Sequence, residues 1–552
     1  MWANGTLHRG GLSLSELFLV LGFALFYHLY LFGPGSLDPG QVAWLLHGDP
    51  AQHYLGWQFF RHEAWSWPPG RIEGFGWPEG SSLVFTDAIP LLALPGKLLS
   101  PWMGGEFQYF GPWILASLIL QGYWALRLLA PWTPSPALRF LAACLFILSP
   151  PLFLRGYGHE SLMAHWLLLA GLHGYLSRWR NWSWSLLLLA AALTHSYLLL
   201  MVLGLWGAAL LENCLLAPGR CWRQVPGVLA AGAVLLAGML LAGYFIPRSS
   251  LSGEGYGFFS MNILAPVQQV IIGPEFGRAR LMPDIPVATG GQYEGYLYLG
   301  AGFLFLALLQ LLPWRQPAPA GLMPETPVRL WPLVSVALLF WGLALSPQVT
   351  LGPWHLFTLP LPELLQHKLA IFRSSGRFGW LLFYLLCLGI LVRLLRRWSG
   401  SPWLPFLLIL ALVLQVVDMG EKYRFLRQRI QERGTWSTPL ADPAWHSLAA
   451  GARQLMILPP FPDMEQRYVP YAQVAARHGL ATNAAHGARG DKDLAAVRAK
   501  QMWADLQQGH PEAGTLYIIS DPALVPGLPA SIQARLRQLD GQIVLPPSSP
   551  EP

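Results

Sequence analysis

The sequence has little charge and little cysteine. Only 12% of its 552 residues are charged, about half the share in an ordinary soluble domain, whereas 53% are hydrophobic. This balance excludes a soluble enzyme, a disordered chain and a fibrous protein. The four cysteines lie in or beside apolar runs, which argues against a disulfide framework or a zinc site. A helical protein that crosses a membrane several times remains.

Long apolar runs fill most of the first 418 residues. A helix needs about 20 mostly apolar residues to cross a bilayer, and the sequence predicts eleven such spans, with ten or twelve also compatible with the pattern. The first has no clear signal-peptide cleavage site, so we expect a retained anchor. The spans cover roughly residues 13–32, 110–130, 138–154, 160–177, 182–196, 197–216, 226–246, 296–313, 330–346, 379–396 and 402–418.

Arginines mark one side of the membrane. They concentrate in alternate short loops, and the positive-inside rule therefore puts the N-terminus in the cytoplasm. The net charge of +7 follows this topology, so we expect no nucleic-acid partner. The opposite loops are long and of mixed charge, and we place them on the periplasmic face of a bacterial inner membrane. They cover about residues 33–109, 247–295 and 347–378, with a soluble tail at 419–552.

The first outer loop carries two candidate catalytic carboxylates. Asp49 begins a stretch that is predicted to form a helix lying in the membrane interface. It is either the N-cap of that helix or a general base, and the two roles are compatible. Asp87 is either a second cap or a second carboxylate in the same cleft. His53, in the same motif as Asp49, is a candidate substrate-binding residue.

The next two outer turns hold charged and imidazole groups at span junctions. Arg155 and Glu160 form either a local ion pair or, with His159, a site for a phosphate and its sugar. At the following turn, His195 is either structural or substrate-binding. The spacing of the histidines is not that of a helical zinc site.

The later outer loops have the composition of a carbohydrate-facing surface. Glycine-rich turns present tyrosines and carboxylates, which stack on sugar rings and accept their hydroxyls, although a simple covering loop is the alternative. The candidate substrate-binding residues here are Glu254, Tyr256, Asn262 and Glu294.

Arg373 and Arg377 enter the next span four residues apart. Arginine pairs bidentately with phosphate, and a helix N-terminus favours anions, so this spacing favours a phosphate clamp. The alternative is that both side chains snorkel to the interface.

The tail has an ordinary soluble composition. Short strands are predicted at 455–458, 515–519 and 543–545, and helices at 491–508 and 530–539, which together indicate a small α/β domain. It contains no nucleophile elbow, phosphate loop or dinucleotide fingerprint. The tail either binds an acceptor or covers the cleft.

Six motifs carry a resemblance to a known family. The chain resembles an uncharacterised family of bacterial multi-span proteins, domain-of-unknown-function family 6311, whose layout is similar to that of the GT-C glycosyltransferases. The resemblance implies an all-α bundle of about 11 transmembrane helices with a small α/β C-terminal domain. The motifs lie at residues 48–53, 80–87, 158–162, 255–262, 291–295 and 373–378.

The resemblance also implies an activity. In GT-C enzymes an acid in the first outer loop acts on the acceptor, which by position is Asp49. Basic residues meet the donor phosphate, which by position are Arg155 or Arg373 with Arg377. Many such enzymes have two adjacent acids in the first loop. This chain has one, which leaves Asp87 and Glu160 as further candidates.

The expected function is glycosyl transfer from a polyprenyl-phosphate sugar to a glycan, lipid or protein acceptor. No cofactor is required if arginines stabilise the leaving phosphate, although Mg²⁺ or Mn²⁺ between carboxylates is compatible with the chemistry. A non-catalytic protein that binds lipid-linked glycan for export or assembly is the main alternative. A transporter would need polar groups within the spans or a repeated half, and the sequence shows neither.

Overall fold

A computed structural model describes residues 11–246, 255–270, 273, 276–312, 328–461, 466–485 and 492–548. Helices dominate it. The α-helices, α1 to α19 in chain order, are Leu14–Phe32, Asp49–His62, Pro90–Leu99, Phe110–Leu129, Pro136–Ile147, Pro150–Arg155, Trp166–Leu176, Asn181–Ala192, Ser196–Leu216, Val225–Ala242, Gly300–Leu309, Trp331–Leu345, Glu363–Leu369, Trp380–Arg397, Leu404–Arg433, Ala444–Ala450, Val469–His478, Lys492–Gln507 and Ala530–Gln533.

The strands are short and form three sheets. Two are antiparallel pairs, and the third has five strands. The strands, β1 to β9 in chain order, are Arg71–Ile72, Ser81–Ser82, Gln348–Leu351, Trp354–Thr358, Gln454–Leu458, Ala481–Thr482, Thr515–Ile519, Arg537–Leu539 and Gln542–Leu545.

The chain divides into two compact units. The first unit is helical, and its packing centres on α4, which contacts α1, α5 and α7, and on α9, which contacts α7, α8 and α12. The second unit carries α2, α3 and the five-stranded sheet. The first unit consists of residues 1–37, 110–235 and 252–431, and the second of 38–109, 236–251 and 432–552.

Five helical segments in the described residues are long and apolar enough to cross a membrane. Three shorter apolar helices, α5, α11 and α12, accompany them. A membrane protein is therefore indicated, whereas the count of eleven spans stays a prediction. The five segments are Leu14–Phe32, Ser196–Leu216, Cys221–Ala242, Ser375–Arg397 and Leu404–Arg433.

Two predicted spans are not continuous helices. The run at 138–154 breaks after α5, and α6 starts again at Pro150. Proline removes a backbone donor and its ring clashes with the preceding turn, so the Pro150–Pro151 pair starts a helix but cannot continue one. The run at 160–177 begins as a 3-10 turn, Glu160–Met163, before α7.

The helix that contains the last predicted span extends beyond that span. The sequence predicts a span at 402–418, and α15 continues to Arg433. Asp418 is buried, and its carboxylate accepts hydrogen bonds from the Tyr298 hydroxyl (2.6 Å), Leu281 N–H (2.9 Å) and Ala301 N–H (3.1 Å). A satisfied carboxylate costs far less to bury than an unpaired one, so this acid does not end the helix.

The five-stranded sheet has the order β6-β5-β7-β9-β8. β5 pairs in parallel with β6 and β7, while β9 is antiparallel to β7 and β8. The strands at 455–458, 515–519 and 543–545 and the helix at 491–508 are confirmed. The helix at 530–539 is wrong beyond Gln533, because Asp540 and Gly541 have positive φ and form a tight turn that pairs β8 with β9.

Candidate functional site

The first helical turn of α2 presents Asp49. Its N-cap is Gly48, with φ of 65°, so the prediction that Asp49 caps the helix is wrong. Asp49 is instead the first helical residue, where the macrodipole favours a carboxylate, and its side chain is exposed. Burial raises the pKa of the Tyr468 phenol, and the nearby charge of Asp49 raises it further. Asp49 is thus an accessible carboxylate on a rigid element.

His53 lies one turn after Asp49, on the same helix face. Its imidazole is buried, and Nε2 is 3.9 Å from a carboxylate oxygen of Asp87, whose side chain is 23% exposed. A carboxylate beside an imidazole orients the ring. The second unit therefore brings Asp87 to His53, whereas a cleft shared by Asp87 and Asp49 stays a prediction.

A strained turn sets the position of Asp87. Asp87 and Ile89 have φ of 53° and 52°, and Ile89, not Asp87, is the N-cap of α3. The predicted cap role of Asp87 is therefore wrong. Thr86 packs against α2 so closely that a Cβ at Gly56 would lie 2.4 Å from its side chain. Glycine at position 56 is what allows this turn to approach α2, and strained backbone of this kind concentrates at functional sites.

The first unit contains a buried cluster around Glu294. One carboxylate oxygen of Glu294 accepts from Arg155 at 2.8 Å and from Arg377 Nε at 3.0 Å, and the other accepts from Arg377 Nη2 at 2.5 Å. His159 Nε2 lies 3.9 Å from the same group. Arg155 thus pairs with a residue 139 positions away, whereas the sequence suggested Glu160. We call Arg155, Glu294 and Arg377 the charge cluster.

The charge cluster holds two positive groups and one negative group. Burial alone would raise the pKa of the Glu294 carboxyl, but Arg377 and Arg155 hold that pKa well below its usual range. Glu294 is therefore ionised, and the three side chains of the charge cluster together carry one net positive charge. The Arg155 Nε atom and the hydroxyls of Ser161 and Ser375 have no hydrogen-bond partner among the described residues. Unsatisfied donors beside excess positive charge are suited to receiving an anion.

Aromatic rings support Arg377 and its loop. The Arg377 guanidinium lies 5.0 Å from the Tyr197 ring centre, and the Tyr197 hydroxyl accepts the Ser374 N–H at 3.0 Å. Arg373 is exposed and lies over the Phe259 ring at 5.6 Å. The two arginines are therefore not equivalent: Arg377 belongs to the charge cluster, and Arg373 faces outward.

The other predicted site residues make contacts of several kinds. Glu160 is buried in its 3-10 turn, where its backbone oxygen accepts from Trp113 at 2.8 Å. His195 caps α9 by accepting the Tyr197 N–H at 3.1 Å, which is the structural role considered for it. Tyr256 is half-buried, and Glu254 lies outside the described residues.

Asn262 links three loop segments. Its amide nitrogen donates to Gly352 O at 2.8 Å and to side-chain oxygens of Gln292 and Thr350, both at 3.2 Å. Its amide oxygen accepts the N–H groups of Leu264 and Gly352. These bonds use the amide to hold the loops together, which favours a structural role over sugar binding.

Sequence reasoning missed Ser161, Ser375 and the spacer role of Gly56. Both serines fall inside quoted motifs, at 158–162 and 373–378. A buried hydroxyl within such a motif is the signal that could have identified them. In the described part of the chain, no three His, Cys, Asp or Glu side chains gather as metal ligands do.

Comparison with known proteins places the chain in a family. Residues 19–420 match the family described as Domain of unknown function (DUF6311), and residues 444–547 match its C-terminal domain, DUF6311_C. Most of the chain is covered, so the protein belongs to the DUF6311 family. The search of curated proteins found no match.

Proposed function

We propose that the protein is a membrane glycosyltransferase of the GT-C type, which moves a sugar from a polyprenyl-phosphate donor to a glycan, lipid or protein acceptor at the periplasmic face of the inner membrane. The observation that carries the proposal is the charge cluster, with its excess positive charge and its unsatisfied donors. Such a group suits a lipid-linked phosphate better than a neutral ligand.

The proposed reaction is a single displacement. An acceptor hydroxyl oxygen attacks the anomeric carbon as its proton passes to Asp49. The bond between the anomeric carbon and the phosphate oxygen breaks, and its electron pair leaves with the polyprenyl phosphate. Arg155 and Arg377 stabilise that developing charge. We assign proton transfer to Asp49 because it is exposed, whereas Glu160 is buried.

His53 and Asp87 are assigned a supporting role. Their 3.9 Å contact lies one turn from Asp49 on the same face of α2, where it fixes the side chain that follows the proposed base along the helix. Divalent cations are not needed for this scheme, and adding Mg²⁺, Mn²⁺ or EDTA to the assay tests whether one assists.

The test is a turnover assay on the full-length protein in nanodiscs. Radiolabelled polyprenyl-phosphate sugars are supplied with water or a membrane glycan extract as acceptor, and release of polyprenyl phosphate is measured. We expect release by wild type and loss of at least about a hundredfold in Asp49→Asn, the scale of general-base catalysis. Asp38→Asn, an exposed carboxylate in the same loop, is the matched control and should retain activity.

Full turnover by Asp49→Asn would show that Asp49 is not the general base. If no donor is turned over but donor binding saturates and weakens in Arg377→Gln, the protein is the alternative that binds lipid-linked glycan for export or assembly.

A further inference from the structure

The second unit contains a cavity of about 540 Å³ that lies outside the motifs used above. Its walls come from three chain segments: the end of α2 with the loop after it, the turn after β1, and the edge of the sheet near β6. The volume lies within the range of about 300–1,000 Å³ that is common for small-molecule sites. It is large enough for a ligand of several rings.

Backbone hydrogen bonds hold the walls together. The N–H of Thr482 in β6 donates to Gly74 O at 2.8 Å, and Trp77 N–H donates to Thr482 O at 2.9 Å. Glu63 accepts the N–H groups of Glu73 and Gly74, both at 2.8 Å. The turn after β1 is therefore fixed both to the sheet and to the end of α2, and the cavity is preformed.

The lining combines indole rings with paired charges. Trp65 is 50% exposed and Trp77 is half-buried, and a cation lies over each ring, Lys97 at 4.5 Å and Arg498 at 5.0 Å. Arg71 and Glu73 form an exposed pair at 3.4 Å. Flat aromatic faces beside carboxylate and guanidinium groups are the chemistry that recognises a saccharide, because rings stack on C–H faces while paired polar groups bind neighbouring hydroxyls.

The lining of this cavity differs in its charged residues from the charge cluster. Three glutamates, Glu63, Glu73 and Glu79, accompany two arginines, Arg71 and Arg453. With Lys97 and Arg498 over the indole rings, cations and carboxylates are nearly balanced at this cavity, so we expect it to bind a sugar without phosphate rather than to select an anion.

We infer that this cavity is a saccharide-binding site for neutral or amino-sugar units of a glycan. Under the proposed function, on which this part rests, it holds the acceptor glycan, so the acceptor is a polysaccharide or oligosaccharide. The site would be formed jointly by the first outer loop and the C-terminal domain.

Ligand-observed saturation-transfer NMR on the full-length protein in nanodiscs tests the inference. The probes are maltotriose, mannotriose and a trimer of N-acetylglucosamine, with glucose 1-phosphate as a charged comparison. We expect at least one trisaccharide to bind saturably. Glucose 1-phosphate should bind no more tightly than the trisaccharides. Trp65→Ala and Glu73→Gln should each weaken binding by about fivefold or more, the scale of one lost stacking or hydrogen-bonding contact.

Trp102→Ala is the matched control, because Trp102 is 81% exposed in the same unit but does not line the cavity. Binding that survives both cavity variants, or no binding by any trisaccharide, overturns the inference. Donor turnover with water as acceptor is measured in parallel on the wild-type protein and should be unchanged in Trp102→Ala. Saccharide binding without any donor turnover would support this site and refute the transferase. Donor turnover without saccharide binding would support the transferase and refute this site.

Discussion

Glu294 is the residue on which the charge cluster depends. Its carboxylate is the ion-pair partner of both Arg155 and Arg377, and all three side chains are at most 8% exposed. Removing one partner of a buried pair leaves an uncompensated charge, which typically costs about 3–5 kcal/mol.

We therefore expect Glu294→Gln to lower the thermal stability of the detergent-purified protein markedly, because two guanidinium groups would lose their counter-charge. Thermal unfolding of Glu294→Gln beside Arg373→Gln gives the measurement. Arg373 is exposed in the same stretch as Arg377, so its substitution should leave the midpoint nearly unchanged. Equal midpoints for wild type and Glu294→Gln would contradict the assignment.

The same carboxylate predicts a pH dependence. The pKa of Glu294 is lower in the folded protein than the value of about 4.3 in an unfolded chain. Its contribution to stability is therefore complete above about pH 4.3 and is lost as the pH falls through the folded pKa. Between pH 7 and pH 5 the gap between the midpoints of wild type and Glu294→Gln should stay constant. A gap that already closes over this range would count against an ionised, paired Glu294.

At the scale of elements, the contact between α2 and the turn before α3 sets the Asp87 geometry. A Cβ at Gly56 would lie 2.4 Å from Thr86. Gly56→Ala should therefore push the turn away, separate Asp87 from His53 and lower both turnover and stability. Gly207→Ala is the control, because Gly207 is a helical glycine of α9 with nothing within 4 Å of the added methyl group. It should be neutral or slightly stabilising, by up to about 1 kcal/mol.

Thermal unfolding and donor turnover are measured for both variants beside wild type. If Gly56→Ala matches wild type in stability and turnover, Gly56 does not position the Asp87 turn.

The elements also show what the sequence can predict. Short continuous apolar runs predicted β5, β7 and β9 within a residue or two, because these strands are largely buried on both faces of the sheet. The helix predicted at 530–539 includes β8, because this short, exposed strand has no periodic pattern. The Asp540–Gly541 turn that follows it is the signal for a hairpin. The partners of Asp418 could not be found from the sequence, because they lie more than 100 residues away along the chain.

The ion pairs between distant residues were harder to predict from the sequence than the strands. Motif reasoning named Arg155, Glu294 and Arg377 as separate candidates, but a pairing across 139 residues leaves no local pattern to read. The helical N-cap was also misassigned, since Gly48 and Asp49 are both acceptable at that position and only backbone geometry distinguishes them. The cavity near Trp65 and Trp77 was missed because its walls come from distant segments.

For the whole molecule, the predicted topology can be tested by labelling. Gly104 and Gly219 are both exposed, and the arginine pattern puts Gly104 outside and Gly219 in the cytoplasm. In a background with Cys214→Ser and Cys221→Ser, a membrane-impermeant maleimide should label Gly104→Cys in cells with permeable outer membranes. It should label Gly219→Cys only after the inner membrane is opened. Labelling of both positions before opening, or the reverse pattern, would refute the orientation.

Asp418 bears on how the protein is made. Its three hydrogen-bond donors come from residues 281, 298 and 301, which are translated before α15. An unpaired carboxylate resists transfer into lipid, so α15 should partition stably from the translocon only once this earlier segment is in place to receive it. Membrane insertion would then follow a fixed order, in which α15 inserts stably only after the helices that precede it have packed together.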